Sequence, residues 1–505
     1  MFRVDPKQAV LTHISANAEG AGATLGVDAE TAARAPIAPT LSHKLISGFA
    51  QLIEAVLLVA LGLGIYLFYL GGVDAVLYVP LSLGIVAAAN IAFNIARTHR
   101  IAAYRTLFKQ ILQVLGGWIA VLLVVVAGLF LFKAGDLVSR VWLGSWALSG
   151  GAVLIAYRLA LRALVLDWSA RGRLRRRTVI VGGGAGAEAL VTAIEKSATS
   201  DIELIGLFDD RDDERSPEAV AGLKKLGKVA DLVEFARRAR IDLVIVSMPL
   251  SAESRLLEML RQLWVLPVDI RLSAHMSKLR FTDKTYSYVG DLPVFEMADR
   301  PISDWNLVFK WVFDKLVAVF ALIALSPVML ATAIAVKATS KGPILFKQDR
   351  HGFNNKLIAV YKFRSMYTDM SDARAARLVT RDDPRVTPVG RFIRRTSIDE
   401  LPQLFNVLKG ELSIVGPRPH ALEAKAANRL YHDAVDGYFA RHKVKPGITG
   451  WAQINGWRGE TDTVEKLMAR VDHDLYYIEN WSILLDLYIL VMTPVSLFTK
   501  SENAF

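Results

Sequence analysis

An adjacent pair of carboxylates, Asp399 and Glu400, lies in a strongly basic part of the chain. Residues 341–420 contain fifteen Lys or Arg residues and eight Asp or Glu residues. The cations that accompany the pair are Lys362, Arg364, Arg391, Arg394, Arg395 and Arg418. Carboxylates among arginines either form structural ion pairs or belong to a site that handles phosphate. Phosphoryl transfer needs cationic donors, a divalent cation held by a carboxylate, and a nucleophile, and this region offers groups for all three.

The composition indicates a chain that lies partly in lipid and partly in water. Of 505 residues, 53% are hydrophobic and 22% are charged, which excludes a disordered or fibrous protein. The net charge of +11 indicates cytoplasmic flanks beside anionic lipid, or a site for anionic substrates. There is no cysteine, which excludes disulfides, thiolate metal sites and cysteine nucleophiles.

Four apolar runs predict a four-helix transmembrane bundle within residues 41–170. They cover roughly residues 45–70, 75–96, 111–132 and 141–166, and each approaches or exceeds the ~20 residues that cross a bilayer. Glu54 interrupts the first run, where either an interfacial or helix-packed carboxylate or a functional group is expected. Arg158 and Arg162 lie near the end of the fourth run and are expected to snorkel to the interface.

The distribution of cations predicts the orientation of these helices. The 97–109 loop carries four Lys or Arg residues, residues 171–177 carry five arginines, and the 71–74 loop carries none. The positive-inside rule therefore places the N-terminus and everything after residue 170 in the cytoplasm of a multi-pass protein. Because the arginine run directly follows a predicted span, we interpret it as an anchor and predict no nucleic-acid partner.

Two further segments flank the spans. Residues 1–40 have few large apolar side chains and predict a mobile tail. Residues 174–300 alternate strand-like and helix-like segments, as in a Rossmann-like, doubly wound α/β insert. Gly182, Gly184 and Ala187 fit the pattern G-x-G-x-x-A, with an acidic pair at the next strand end. This turn is compatible with a nucleotide-like ligand, but the same glycines serve a tight turn without one, which favours a scaffold or regulatory domain.

A fifth apolar segment, Leu316–Val336, has no charge and is flanked by lysines on both sides. Pro327 lies just past its middle and lacks the N–H that a helix needs, and Ser326 can bond the backbone group that this frees. These features favour a re-entrant helix that bends at Ser326–Pro327 and leaves the membrane on the side it entered, with a kinked spanning helix as the alternative.

From about residue 305 to residue 500, the chain resembles the bacterial sugar transferases, the monotopic polyprenyl-phosphate hexose-1-phosphate transferases. The matching motifs are Ser326–Pro327, Y-K-F-R-S-M at 361–366, D-E-L-P-Q-L-F-N-V-L-K-G at 399–410, S-I-V-G-P-R-P at 413–419 and V-K-P-G-I-T-G-W-A-Q-I-N-G at 444–456. The four spans and the insert resemble those of the large members. The resemblance implies a small, mainly helical cytoplasmic catalytic domain at 305–505, in the inner membrane of a bacterium.

The resemblance also implies a reaction and a set of roles. Hexose-1-phosphate, of glucose or galactose, passes from a UDP-hexose to undecaprenyl phosphate, with release of UMP, at the first membrane step of exopolysaccharide, capsule or O-antigen (lipopolysaccharide) assembly. Asp399 would be the nucleophile and would bind Mg²⁺, and Glu400 would be the acid/base. The residues that would hold substrate phosphates are Lys362, Arg364, Arg394, Arg418 and Arg458. The run G-W-R-G-E-T at 456–461 resembles the glucose-type branch.

Two other functions compete with this interpretation. A membrane glycosyltransferase would use Asp210 and Asp212 as a D-x-D metal motif and would release UDP rather than UMP. A non-enzymatic membrane scaffold with a nucleotide-sensing insert would not need Asp399 or Glu400. Beside an enzymatic second half, the N-terminal half is a candidate for such a sensing role and for homodimer formation.

Overall fold

The computed structural model describes residues 25–35, 40–99, 101–196, 201–211, 219–248, 253–273, 287–289, 292–368, 383–420, 425–426, 429–431, 435, 438–457, 459 and 463–499. It divides into two compact units, one of Pro36–Arg176 and one of Met1–Ala35 with Arg177–Phe505.

The helices are α1 (Val27–Arg34), α2 (His43–Leu70), α3 (Ala75–Ile95), α4 (Ile101–Arg105), α5 (Leu107–Leu131), α6 (Arg140–Ala170), α7 (Ala185–Lys196), α8 (Val229–Arg238), α9 (Glu253–Leu263), α10 (Asp304–Thr339), α11 (Pro388–Arg395), α12 (Gln403–Lys409), α13 (Trp451–Ile454), α14 (Val464–Glu479) and α15 (Ile483–Thr499). The strands are β1 (Arg176–Val181), β2 (Ile202–Phe208), β3 (Ala219–Val220), β4 (Leu223–Gly227), β5 (Leu243–Val246), β6 (Asp269–Ser273), β7 (Ser287–Val289), β8 (Leu292–Ala298), β9 (Leu345–His351), β10 (Leu357–Phe363), β11 (Ser413–Val415), β12 (Lys425–Ala426), β13 (Arg429–Leu430) and β14 (Gly447–Thr449).

Five helices among the described residues, α2, α3, α5, α6 and α10, are long and apolar enough to cross a membrane, so the chain is a membrane protein. The first four contain the four predicted apolar runs. They share a core that includes the fully buried indoles of Trp142 and Trp146. Each indole N–H donates to an α2 carbonyl, Trp142 to Gly62 at 2.9 Å and Trp146 to Leu58 at 3.1 Å. The polar atom of each large ring is therefore satisfied inside this apolar core.

A buried ion pair joins the first and fourth of these helices. Arg158 Nη2 donates to Glu54 Oε2 at 2.6 Å, and His99 Nε2 lies 2.9 Å from the same oxygen. All three side chains are at most 4% exposed. The expected snorkelling of Arg158 is therefore wrong, because its charge is neutralised within the protein by a carboxylate 104 positions away. Glu54 is the helix-packed carboxylate of the two alternatives considered.

Removing one partner of this pair leaves an uncompensated buried charge. We expect Arg158→Leu alone to lower the free energy of unfolding by about 3–5 kcal/mol, whereas Glu54→Leu combined with Arg158→Leu should be less harmful, because no unpaired charge remains. Thermal unfolding of the purified protein in detergent measures both variants. A double variant that is less stable than Arg158→Leu would contradict this account.

The second unit contains the nucleotide-fold domain, which we define as the region that carries β1–β8. Its eight strands lie in the order β3-β4-β2-β1-β5-β6-β8-β7. The pairs β2–β4, β1–β5 and β5–β6 are parallel, and the pairs that involve β3 and β8 are antiparallel. The centre of the sheet therefore has the parallel arrangement expected from the sequence, and antiparallel strands close its edges.

The glycine turn of this domain is bonded to the protein's own side chains. Gly182 and Gly184 have φ of 94° and 80°, values that favour glycine. The Gly183 N–H donates to Asp209 Oδ2 at 2.8 Å, and Arg211 bonds both Asp209 and the Gly183 carbonyl. Next to it, Asp210 Oδ1 accepts from Val229 N at 2.8 Å and caps α8. Asp212 of the alternative D-x-D motif lies outside the described residues.

One part of the predicted mobile tail is ordered. Helix α1 buries Leu25 and Ala29 in the core of the nucleotide-fold domain, and Asp28 pairs with Lys224 at 3.0 Å. Few large apolar residues are sufficient here, because the sheet domain supplies most of the buried surface. Residues 1–24 and 36–39 of the tail lie outside the described residues.

Helix α10 runs without interruption from Asp304 to Thr339 and contains Pro327. The missing N–H of Pro327 would have bonded the carbonyl of Ile323, four residues earlier. Ser326 Oγ donates to that carbonyl at 2.8 Å, as the sequence predicted. The side chain before the proline thus replaces the lost backbone hydrogen bond.

Both ends of α10 are bonded to one globular domain. Near its start, Lys310 Nζ donates to the Val415 carbonyl at 2.8 Å and to Asp486 at 2.7 Å. At its end, Arg364 Nη2 donates to the Ser340 carbonyl at 2.7 Å. Between these anchors the helix exposes large apolar side chains, such as Phe320, which is 80% exposed.

Candidate functional site

The carboxylate pair lies on a sharp turn between two short helices. Helix α11 ends at Arg395, and Ser397 has a left-handed backbone with φ of 58°, which reverses the chain. A single 3₁₀ turn, Ile398–Glu400, follows and leads into α12. A non-glycine residue with positive φ is uncommon, and such residues cluster at functional sites. The turn places Asp399 and Glu400 where two separate motifs can reach them.

Glu400 is clamped by two cations. Arg418 makes a bidentate pair with it, Nη2 to Oε1 at 2.5 Å and Nη1 to Oε2 at 3.1 Å. Lys362 Nζ donates to Oε1 at 2.8 Å. Burial alone would raise the pKa of Glu400, but Arg418 and Lys362 outweigh it and hold this pKa well below its usual range. Glu400 is therefore ionised at neutral pH.

Asp399 differs from Glu400 in both its hydrogen bonding and the direction of its pKa shift. Its side chain is buried, and no residue that the structure describes donates a hydrogen bond to its carboxylate. Burial raises the pKa of Asp399, and the charge of Glu400 raises it further, while Lys362, Arg394 and Arg418 lower it in part. The site thus holds Glu400, whose oxygens are bonded to two cations, beside Asp399, whose oxygens accept no hydrogen bond from the described residues.

Arg394 is a further cation that lies close enough to Asp399 for their charges to interact. Burial lowers the pKa of Arg394, and the nearby charge of Asp399 opposes this shift. Within the described parts of the chain its guanidinium forms no hydrogen bond. Its donors are therefore available to an anionic ligand, and an arginine can bind phosphate through two of them at once.

Lys362 is positioned by Asn406, which is fully buried. The Asn406 side chain bonds the backbone of β10 on both sides, accepting from Tyr361 N at 3.0 Å and donating to the Ala359 carbonyl at 2.7 Å. This amide therefore fixes β10, which carries Lys362, against α12, which directly follows the carboxylate pair. The hydrogen bonds of this one side chain therefore join the motif at 361–366 to the motif at 399–410.

Arg418 is positioned by a close backbone contact between the two remaining motifs. Strands β11 and β14 pair in parallel, Gly416 N donates to the Thr449 carbonyl, and Gly447 N donates to the Pro417 carbonyl, each at 2.9 Å. A Cβ on Gly416 would lie 2.6 Å from the Lys445 carbonyl oxygen, and one on Gly447 would lie 2.1 Å from Gly416 N. Only glycine fits at either position.

Arg364 does not join the carboxylates, and its predicted phosphate-binding role is not supported by its contacts. Its two Nη atoms donate to Lys341 O, Ser340 O and Thr368 Oγ1 at the end of α10. Arg364 comes directly after Phe363, the last residue of β10, and its guanidinium lies on the backbone that follows α10 instead of on the carboxylates. Arg458 lies outside the described residues.

Several buried residues around Arg418 were not predicted. Arg350 Nη1 donates to the Pro419 carbonyl at 2.6 Å, and burial together with the charge of Arg418 lowers its pKa to about 10. Arg441 donates to Asp474 at 2.5 Å and to the Arg418 carbonyl at 2.7 Å. His420 accepts from Arg441, and burial followed by Arg441 and Arg470 holds its pKa well below the usual range. Of these residues, only His420 has a sequence signal that could have indicated a place near the site, because it directly follows G-P-R-P at 416–419.

The described residues contain no group of three or more His, Asp or Glu side chains that could enclose a metal ion. Mg²⁺ does not need such a cage, because it commonly binds through one or two carboxylates and substrate phosphates. Asp399, with its unbonded oxygens, fits that requirement, whereas both oxygens of Glu400 are already engaged.

Comparison with known proteins identifies two family matches. Residues 305–500 match the bacterial sugar transferase family, and residues 94–274 match a family described as a CoA-binding domain. The first match contains the carboxylate pair and all its described partners. The second contains the glycine turn of the nucleotide-fold domain.

Three similar proteins carry names that describe an activity. An undecaprenyl-phosphate glucose phosphotransferase of Komagataeibacter xylinus is 44% identical over 66% of this chain, and the match spans 61% of that protein. Proteins named UDP-glucose:undecaprenyl-phosphate glucose-1-phosphate transferase are 38% identical in both Klebsiella pneumoniae and Escherichia coli. The matches cover 76% and 73% of this chain and 81% and 77% of those proteins. On this similarity, the chain belongs to the bacterial sugar transferase family.

Proposed function

We propose that the chain transfers glucose-1-phosphate from UDP-glucose to undecaprenyl phosphate and releases UMP, an early membrane step in assembling an exported polysaccharide. The observation that carries the proposal is the pairing of an available carboxylate, Asp399, with a clamped one, Glu400, among Lys362, Arg394 and Arg418. The names of the relatives supply the substrates. Galactose in place of glucose is the second candidate.

In the proposed reaction Asp399 attacks the β-phosphorus of the UDP-sugar. The new bond joins a carboxylate oxygen to phosphorus, and the phosphoanhydride bond to UMP breaks, with its electron pair leaving on UMP. Undecaprenyl phosphate then attacks the same phosphorus and releases the Asp399 carboxylate. Arg394 and Arg418 would hold phosphate oxygens during both steps. Mg²⁺, bound by Asp399 and the pyrophosphate, would neutralise phosphate charge.

The lowered pKa of Glu400 limits which part it can take in proton transfer. An ionised carboxylate has no proton to donate, so we propose that Glu400 is not an acid, and that it serves as a base toward the lipid phosphate once substrate phosphates compete for Arg418 and Lys362, whose contacts otherwise hold its pKa low. Its contacts also hold Lys362 and Arg418 in fixed positions beside the carboxylate pair.

The experiment that tests the function is a UMP-release assay on the purified protein with undecaprenyl phosphate and a panel of UDP-sugars. We expect Asp399→Asn to abolish UMP release and the covalent phosphosugar, which mass spectrometry detects, because an amide is no anionic nucleophile. Glu400→Gln should lose about 10²–10⁴-fold in rate. Asp349→Asn, at an exposed acid in β9, is the matched control. UDP as the product would favour a glycosyltransferase, and an active Asp399→Asn would contradict the covalent step.

The charges around Asp399 predict a pH dependence. Asp399 must be ionised to attack, so the rate falls as the pH drops through its pKa, which burial raises. Arg394 lowers this pKa, so Arg394→Gln should move the acidic limb of the kcat/KM profile to higher pH. Arg395→Gln, which removes an exposed charge on the same helix, should leave the limb in place. Equal profiles for the two variants would show that Arg394 does not act on Asp399.

We further propose that α10 is re-entrant and that the catalytic domain is cytoplasmic, in a bacterial inner membrane. Two facts support this. Both ends of α10 bond to the same domain, through Lys310 and through Arg364, and its exposed apolar middle requires lipid. A re-entrant helix keeps Asp399 at the depth of lipid phosphates and on the side of UDP-glucose.

The absence of cysteine makes this topology easy to test. Single cysteines in place of Asn306 and Lys341, both exposed and on opposite ends of α10, should react with an impermeant maleimide only after the cytoplasmic face is opened. A cysteine in place of Val73 should react from outside intact spheroplasts. Labelling of position 341 but not position 306 in intact spheroplasts would indicate a spanning helix instead.

A further inference from the structure

Among the described residues, the nucleotide-fold domain contacts the catalytic domain at the turn 353–355 and at the segment Tyr438–Lys443, which we name the docking segment. The Arg237 guanidinium, at the end of α8, lies 5.4 Å from the centre of the Phe439 ring. Lys443 Nζ lies 4.1 Å from the centre of the Trp264 ring, which follows α9. Cations at such distances over aromatic faces are attracted to them. Each domain thus supplies one cation and one ring.

A hydrogen bond beside these contacts fixes the same region. Asn354 Nδ2 donates to the Ala236 carbonyl at the end of α8, at 2.9 Å. The next residue, Asn355, bonds His442 of the docking segment through its side-chain oxygen. The end of α8 therefore holds the docking segment directly through Phe439 and indirectly through the turn at 353–355.

The docking segment carries a residue that reaches into the candidate site. Arg441 lies two positions after Phe439, is 1% exposed, and donates through Nη2 to the Arg418 carbonyl at 2.7 Å. The same nitrogen also donates to Asp474 at 2.5 Å. Arg418 in turn clamps Glu400. A continuous chain of contacts thus joins the nucleotide-fold domain to the carboxylate pair.

We propose that Arg237 and Trp264 of the nucleotide-fold domain are positioning residues for the transferase reaction. By holding the docking segment they keep Arg441 against the Arg418 backbone, and so keep the Arg418 guanidinium on Glu400. The inference rests on the proposed function, and it gives the nucleotide-fold domain a part in the reaction that needs no nucleotide in its glycine turn.

The test compares two neighbouring arginines of α8 in the full chain. Arg237 and Arg238 both pair with Glu234, but only Arg237 contacts the docking segment, and Arg238 is 44% exposed. We expect Arg237→Ala to lower kcat/KM for UMP release by about 2- to 30-fold, the range in which coupled positions act. Arg238→Ala should behave as the wild type, and Arg237→Lys, which keeps the cation, should recover part of the loss.

A pH profile separates positioning from a general loss of folded protein. Arg418 lowers the pKa of both Glu400 and Asp399, so a loosened Arg418 should move the acidic limb of kcat/KM to higher pH in Arg237→Ala and in Trp264→Leu. Fewer folded molecules would lower the rate at every pH without moving the limb. Profiles and rates equal to those of Arg238→Ala would overturn the proposal.

Hydrogen exchange gives a readout that does not depend on activity. Arg237→Ala should speed exchange of the amides of the docking segment and of residues 416–420, and Arg238→Ala should not. If the wild type releases no UMP, the proposed function fails, whereas this exchange comparison still decides whether the nucleotide-fold domain holds the docking segment. Unchanged exchange in Arg237→Ala, in a protein that does release UMP, would refute the inference alone.

Discussion

The arrangement of the residues around the candidate site depends on one largely buried carboxylate held by two cations. Glu400 lies between Lys362 and Arg418, and each of the three comes from a different motif of the chain. Charges taken out of water are tolerated only when their partners are present with good geometry. The surrounding contacts meet this condition. Asn406 fixes the strand of Lys362, and the β11–β14 pair fixes the backbone of Arg418. The same clamp leaves Asp399 beside a strong positive field, and no described residue donates a hydrogen bond to its oxygens.

The sequence predicted the residues of the clamp, because their types and their motifs are informative without knowledge of the fold. It could not predict their supporting residues. Arg441 and Asp474 stand 33 positions apart, and neither belongs to a motif that indicates chemistry. For Arg364 the phosphate-binding role stays a prediction, but its motif did not reveal that its guanidinium bonds the backbone just after α10. A local sequence motif identifies which chemical groups are present. Contacts between residues far apart in the chain decide which of these groups come together.

The same limit applies in the membrane. Apolar length was sufficient to predict the helices α2, α3, α5 and α6, because the bilayer fixes how many residues a span needs. Whether Glu54 and Arg158 lie at an interface or pair inside the protein depends on helix packing, which hydropathy does not encode. In α10 the prediction went further, because a proline removes a specific donor and a neighbouring serine can replace it locally.

The contact between Gly416 and Gly447 has a consequence for how this sequence can diverge. Both partners meet through main-chain atoms, so a methyl group added to either would press on backbone rather than on a side chain that could be exchanged for a smaller one. No second substitution elsewhere can restore the space. Neither position can therefore change to another residue by neutral drift, although neither glycine carries a functional group. In a saturation library of this chain, the two glycines would be as intolerant of replacement as a nucleophile, for reasons of volume alone.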